Sequence, residues 1–179
     1  MKNRAIFFDR DGIVNKRIIG DYIKNTDEFE FIPFFIDLFK LIKGLNFSAI
    51  IISNQQGVGK GIMSFDDLNS VTDFMQLRLE LETGFKFDDI YYCTDLHDSQ
   101  SFNRKPNPGM ILNAISKWKI DRANSYMIGD SLTDVQAGKA ASVQTMLIGD
   151  YNRKNAPEAN FIFSSLAEVV DFFMDMYDQ

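Results

Sequence analysis

At 179 residues, with 45% hydrophobic and 25% charged side chains, the chain has the size and balance of one globular domain with a single sizeable core. A formal charge of −6 argues against a nucleic-acid-binding surface, because phosphate backbones attract basic faces. One cysteine, Cys93, excludes an internal disulfide, and no apolar run is long enough for a signal-peptide core or a membrane span, so the expectation is a cytoplasmic monomer that touches no membrane.

The first apolar run, Ala5-Ile6-Phe7-Phe8, reads as a buried strand and ends in Asp9-Arg10-Asp11-Gly12. A two-residue side-chain period puts Asp9 and Asp11 on one side, and Gly12 lets the chain turn away. Such a pair can supply a nucleophile or metal ligand together with a proton carrier, although a strand that merely closes in an acidic turn would look the same. A polar loop follows to about Glu30, and Pro33 suits the first turn of a helix carrying Phe35, Leu38, Phe39, Ile42 and Leu45. Phe47–Ser53 is β-branched and apolar, a second buried strand. Ser64 and Asp67 have the spacing of an N-terminal cap for a helix that turns Leu68, Val71, Met75, Leu79 and Leu81 inward and stops at Gly84. Ile90–Cys93 is a third strand, 108–118 a helix, Ser125–Ile128 a fourth strand, Thr133–Ala141 a helix and Val143–Ile148 a fifth strand. Phe161–Phe163 adds a sixth before a closing helix rich in Val, Phe and Met.

Alternating strands and helices at this spacing predict an α/β fold: one Rossmann-like domain over residues 1–179, a parallel sheet with helices on both faces, with no linker or repeat. Ligands of such sheets sit beyond the carboxyl ends of the strands. The chemically loaded residues do follow strands: Asp9 and Asp11 after the first, Ser53 at the end of the second, Lys105 after the third, Asp130 after the fourth. Taken singly, Ser53 reads as a turn-capping hydroxyl, Lys105 as a surface charge, and Asp130 and Asp134 as helix-start residues. Their joint order is what carries meaning.

That order suits phosphoryl transfer, which is mainly positioning and charge stabilisation. Asp9 can attack phosphorus and become an aspartyl-phosphate, while Asp11 protonates the leaving alkoxide and then deprotonates the water that releases phosphate. A carboxylate meeting a phosphate dianion needs a cation between them, and Mg²⁺ favours an octahedron of oxygen donors. Asp9, Asp130 and the backbone carbonyl of Asp11 would hold it. Lys105 and the Ser53 hydroxyl would hold the equatorial oxygens, and Asp134 is spaced to orient Lys105 or a metal-bound water.

The four motifs D-x-D-G, S-N-Q, R-K-P and G-D-x-x-x-D, from Ala5 to about Gly149, resemble those of the haloacid dehalogenase-like superfamily. The resemblance implies the same assignment: Asp9 as nucleophile, Asp11 as general acid/base, Ser53 and Lys105 as phosphoryl stabilisers and Asp130 as an Mg²⁺ ligand. Neither interval between motifs has room for the separate cap domain that many relatives carry, so specificity falls to the loops Asn15–Asp27, Asn54–Gly61 and Thr94–Arg104. The segments FFDRDGIVN, DYIKNTDEFEFIP, SNQQGVGKG and RKPNPGM are similar to the D-glycero-D-manno-heptose 1,7-bisphosphate phosphatases, and DRANSYMIGD also to the histidinol-phosphate phosphatases. The wording favours the heptose branch and a small phosphorylated metabolite. On that resemblance Ser53, Asn54, Gln55 and Gln56 contact substrate, Arg104 either recognises its second polar end by a bidentate contact or is a surface arginine, and Ser131 lies nearby.

Both branches commonly carry a zinc loop of Cys and His residues before the third motif. Here only Cys93 and His97 stand there, with Ser101-Phe102-Asn103 in place of the second pair, so two potential ligands cannot close a tetrahedral site and no zinc is expected. His97 is read as an exposed loop residue. The loop Gly57-Val58-Gly59-Lys60-Gly61 lacks the spacing and following Ser or Thr of a nucleotide-binding loop; Lys60 is left as a loop lysine or a phosphate contact. A cysteine phosphatase needs an arginine where Ser99 sits. A receiver-like signalling domain would carry its phosphorylated aspartate after the third strand, which instead ends in Tyr-Tyr-Cys-Thr.

Overall fold

Strand β1 (Ala5–Phe8) lies inside the sheet of a computed structural model that describes residues 3–177. The chain continues through α1 (Phe35–Gly44), β2 (Ser48–Asn54), α2 (Gln56–Gly59), α3 (Phe65–Thr83), β3 (Asp89–Cys93), α4 (Gly109–Trp118), β4 (Tyr126–Gly129), α5 (Leu132–Ala140), β5 (Gln144–Ile148), β6 (Phe161–Phe163) and α6 (Leu166–Tyr177). The strands pair in parallel in the order β3-β2-β1-β4-β5-β6. The chain therefore steps outward from β1 through β2 to β3, then returns to the other side of β1 with β4. That reversal opens a crevice between the carboxyl ends of β1 and β4.

Every residue of β1 is fully buried because both faces of the strand are covered. Ile6 and Phe8 pack toward α1, α3 and α6, in a cluster that includes Phe39, Met75 and Phe173. Ala5 and Phe7 pack toward α4 and α5, with Ile111, Ala114 and Ala137. Phe35 anchors the first layer: its ring meets Phe8 edge-on at 5.8 Å and stacks on Phe31 at 5.6 Å, with Phe39 and Phe87 at 5.7 and 6.1 Å. The expected capping box of α3 forms between Ser64 and Asp67, and Gly84 takes a left-handed conformation at the other end.

The structure corrects several details. Helix α1 begins at Phe35 rather than at Pro33, because Phe34 adopts a left-handed φ of 65° and turns the chain first. Leu81 is 73% exposed, not inward. Two residues past Leu79 is about 200° around a helix, on the opposite side from the buried stripe. The turn α2 and the 3₁₀ turns at Thr26–Glu28 and Arg122–Asn124 are short and carry no apolar period by which to see them.

Only the Thr26–Glu28 turn and α1 lie among the described residues between Asp11 and Ser53, and only α2, α3 and β3 between Ser53 and Lys105, so there is no separate cap domain. No described helix is long and apolar enough to cross a membrane. Phe35→Ala should destabilise the protein by about 3–5 kcal/mol in urea unfolding, through lost transfer energy and the cavity left behind; a loss below about 1 kcal/mol would contradict the central place given to that ring.

Candidate active site

The backbone delivers Asp9 to the crevice. Its amide donates to the Ile128 carbonyl at 3.0 Å, which continues the β1–β4 ladder by one step and sets Asp9 beside the turn that carries Asp130. Gly12, at φ 105°, makes the approach possible: a Cβ there would lie 2.0 Å from Asp130 Oδ2. Gly129 does the same for Asp134, whose side chain would meet a Cβ at 2.2 Å.

Lys105 is the hub. Its Nζ lies 2.8 Å from Asp9 Oδ1 and 2.6 Å from Asp134 Oδ1, and all three side chains are buried. Asn54 clamps the lysine's main chain, accepting from Lys105 N and donating to Lys105 O, each at 3.0 Å. Asp134 is fixed from the other side as the third residue of α5: its Oδ2 accepts from the Ser131 amide at 3.1 Å and the Ser131 hydroxyl at 2.7 Å. Its Oδ1 meets the Lys105 ammonium as an ion pair and takes no other donor among the described residues. Asp9 differs. Its Oδ1 takes the Arg10 amide at 2.9 Å as well as Lys105, and Oδ2 has no donor among the described residues.

Asp11 turns its carboxylate away from this cluster. Arg10, wholly buried, reaches Asp11 Oδ1 and Oδ2 through Nη2 at 3.1 Å each, and its ring-facing side lies over Tyr92. Asn15 Nδ2 adds a bond to Oδ1 at 2.9 Å and Gln55 Nε2 one to Oδ2 at 2.7 Å. Burial alone would push the Asp11 carboxyl up, but the Arg10 charge and the Asn15 and Gln55 bonds bring it below the ordinary carboxylate range. Only its main-chain carbonyl faces Asp130, both being bonded by Arg17.

Asp9 shows the opposite balance. Burial raises it to about 7 against the opposing Lys105 charge, with Asp134 and Asp11 adding repulsion. Asp130 is also raised, by burial first, with Arg17 opposing. Oxygens of Asp9, Asp130 and Asp134 all lie within 4.8 Å of one another, facing the single buried ammonium of Lys105. Three carboxylates against one ammonium leave excess negative charge, and the donors are hard oxygens. The residues thus fit Mg²⁺ held by Asp9, Asp130 and the Asp11 carbonyl, with Asp134 turned to the Lys105 ammonium beside them.

A cavity of about 430 Å³ opens over the cluster, lined by Asp9, Asp11, Ser53, Asn54, Gln56, Lys105 and Ser131. The first loop forms its far wall with Arg17, Ile18, Asp21 and Tyr22, and the exposed Lys60 joins them. Two expected substrate contacts move. Gln55 is 0% exposed and does not line the cavity; its amide holds Asp11 and donates to Ser53 Oγ at 3.1 Å while accepting from Arg10. Arg104 donates to the Asp95 carbonyl and lines a neighbouring cavity of about 360 Å³ with His97 and Asn107, which shares Asn54, Lys105 and Thr133 with the first. Cys93 is buried and free, and His97 is exposed as expected.

Arg10 and Arg17 are the residues that reading the sequence overlooked. For Arg10 a signal existed, since an arginine between two aspartates at the end of a buried strand must find a carboxylate. For Arg17 none did.

A family profile described as HAD-hydrolase-like matches residues 102–169. The chain is 34% identical over 170 residues to the D-glycero-beta-D-manno-heptose-1,7-bisphosphate 7-phosphatase of Helicobacter pylori J99, covering 95% of this chain and 97% of that one. It is 33% identical over 177 residues to the corresponding alpha-heptose enzyme of Campylobacter jejuni, covering 98% of each. Among solved structures it is similar to the D,D-heptose 1,7-bisphosphate phosphatase of B. bronchiseptica in complex with magnesium and phosphate, with a TM-score of 0.86, 27% identity and coverage of 97% and 99%.

The raised Asp9 has a consequence for stability. Between the ordinary value of 3.8 and about 7 the folded protein binds more protons at this group than the unfolded chain, so its contribution falls as pH rises through that window. A cation bound at Asp9 favours the carboxylate and offsets that loss. Thermal unfolding should therefore show a larger Mg²⁺-induced rise in Tm at pH 8 than at pH 5; an equal rise at both would contradict the assignment of Asp9 to the cation.

Proposed function

The chain belongs to the haloacid dehalogenase-like phosphatases, and from that premise we propose that it removes the 7-phosphate of D-glycero-D-manno-heptose 1,7-bisphosphate, with Mg²⁺ as cofactor. The observation that carries the chemistry is the Asp9 carboxylate, held through Oδ1 by Lys105 and the Arg10 amide with Oδ2 left open. What supports the substrate is the activity for which relatives that match over nearly their whole length are named. A bound Mg²⁺ would supply positive charge between the attacking carboxylate and the phosphate oxygens.

Oδ2 of Asp9 attacks phosphorus, and the bond from phosphorus to the sugar oxygen breaks. Lys105 and the Ser53 hydroxyl, both on the cavity wall, stabilise the charge on the equatorial oxygens. Asp11 delivers a proton to the departing alkoxide. It is a carboxylate in its hydrogen-bonded setting, so it first takes up a proton from solvent, which the approach of a phosphate dianion favours because like charges repel. In the second step the same carboxylate takes a proton from water, which attacks phosphorus, breaks the bond to Asp9 and frees inorganic phosphate.

The sugar lies toward the first loop and α2. Gln56 lines the cavity, and its buried Oε1 has no protein partner, which leaves an acceptor for a sugar hydroxyl. Lys60 and Arg17 provide positive charge for a second phosphate on that side, and Arg104 provides it on the side of the neighbouring cavity. The working unit proposed is a monomer, with residues 1–179 as one domain. A cytoplasmic setting suits both a doubly phosphorylated sugar and the free thiol of Cys93.

Phosphate release from a panel of both anomers of the heptose bisphosphate and histidinol phosphate tests the substrate. The expected result is fastest release from a heptose bisphosphate, leaving the 1-phosphate; faster turnover of histidinol phosphate would overturn that choice. Asp9→Asn should lower kcat by at least roughly 10⁴-fold with an unchanged circular dichroism spectrum, and wild-type turnover in that variant would refute the nucleophile.

A further inference from the structure

Arg17 spends one nitrogen on two oxygens that the cation also needs. Its Nη2 donates to Asp130 Oδ1 at 2.9 Å and to the Asp11 carbonyl at 3.2 Å. Mg²⁺ requires its oxygens at about 2.1 Å in a near-octahedral shell, with lone pairs directed at the ion. A guanidinium nitrogen within hydrogen-bond reach of both oxygens stands in the space between them. The two cations compete for the same lone pairs, and their like charges repel at this distance.

The surroundings let one of them leave. The backbone of the first loop is pinned just ahead of Arg17: Lys16 N donates to Glu30 O at 2.8 Å, and the buried Asn15 donates to Asp11 and to the Lys16 carbonyl. The Arg17 side chain is 49% exposed and has no other hydrogen-bonded partner among the described residues. The guanidinium can therefore swing into solvent while the loop stays in place. Lys105 has no such freedom, being locked by two carboxylates and by Asn54.

We propose that Arg17 is an intramolecular competitor for the divalent cation: it neutralises Asp130 and the Asp11 carbonyl, and yields them when Mg²⁺ binds. The inference rests on the cation site assigned above. It makes the metal affinity of this chain lower than its carboxylate set would give, and it spares the three carboxylates their mutual repulsion when no divalent ion is present. Nothing in the catalytic cycle requires Arg17 to act on the reacting atoms.

The test is calorimetric titration of Mg²⁺ into the full chain and into Arg17→Ala and Asp130→Asn, at neutral pH and fixed ionic strength. Removing the guanidinium should tighten Mg²⁺ binding about two- to five-fold, the range that a half-exposed ion pair supplies. Arg17→Ala should also melt below wild type in EDTA and level with it in saturating Mg²⁺, because the ion pair contributes only where the metal does not. Equal or weaker Mg²⁺ binding by Arg17→Ala, with Mg²⁺ binding weakened or lost in Asp130→Asn, would overturn the proposal alone. Wild-type Mg²⁺ binding by Asp130→Asn would place the cation elsewhere and overturn both the proposal and the site on which it rests.

Discussion

A buried ammonium between two buried carboxylates is the constraint on which the rest of this molecule depends. Lys105 reaches Asp9 at the end of β1 and Asp134 in the first turn of α5, while Asn54 at the end of β2 grips its main chain. Three elements are thus tied across the point where the strand order reverses. Burying such charges is costly, and removing one partner leaves the others uncompensated, at about 3–5 kcal/mol in comparable cases. The triad fixes the orientation of Asp9 and does so with an excess of negative charge, which is why the site calls for a divalent ion.

A second buried ion pair serves the other aspartate. Arg10, Asn15 and Gln55 hold the Asp11 carboxylate away from the Asp9, Asp130 and Asp134 cluster, so the two aspartates of D-x-D-G sit in different electrostatic surroundings. One is pushed up by burial and the other is held down by a guanidinium. Two carboxylates two residues apart are thereby suited to the different tasks proposed for them, nucleophile and proton carrier, without any difference in their chemistry as isolated side chains.

The parts legible in the sequence were those written in short-range pattern. Apolar runs bounded by turns located the six strands, Ser64 and Asp67 marked the start of α3, and residues following strand ends marked the site. What the pattern could not carry was contact between side chains distant in sequence. Gln55 stands beside cavity-lining neighbours in S-N-Q-Q, yet its amide points inward because Asp11 and Arg10 wait there. Arg104 precedes the buried Lys105, yet it turns to the Asp95 carbonyl and stabilises its own loop, where Asn107 also bonds the Ser101 carbonyl. Arg17 meets Asp130 across 113 positions, and nothing in the spacing of either foretells it.

The account turns on which atom first receives the phosphoryl group. Acid quenching of the enzyme during turnover of the heptose bisphosphate, reduction with borohydride and peptide mapping would answer that directly. An acyl phosphate at Asp9 should be reduced to homoserine at position 9. Reduction at another carboxylate, or none anywhere while turnover is rapid and the intermediate outlives the quench, would contradict the account.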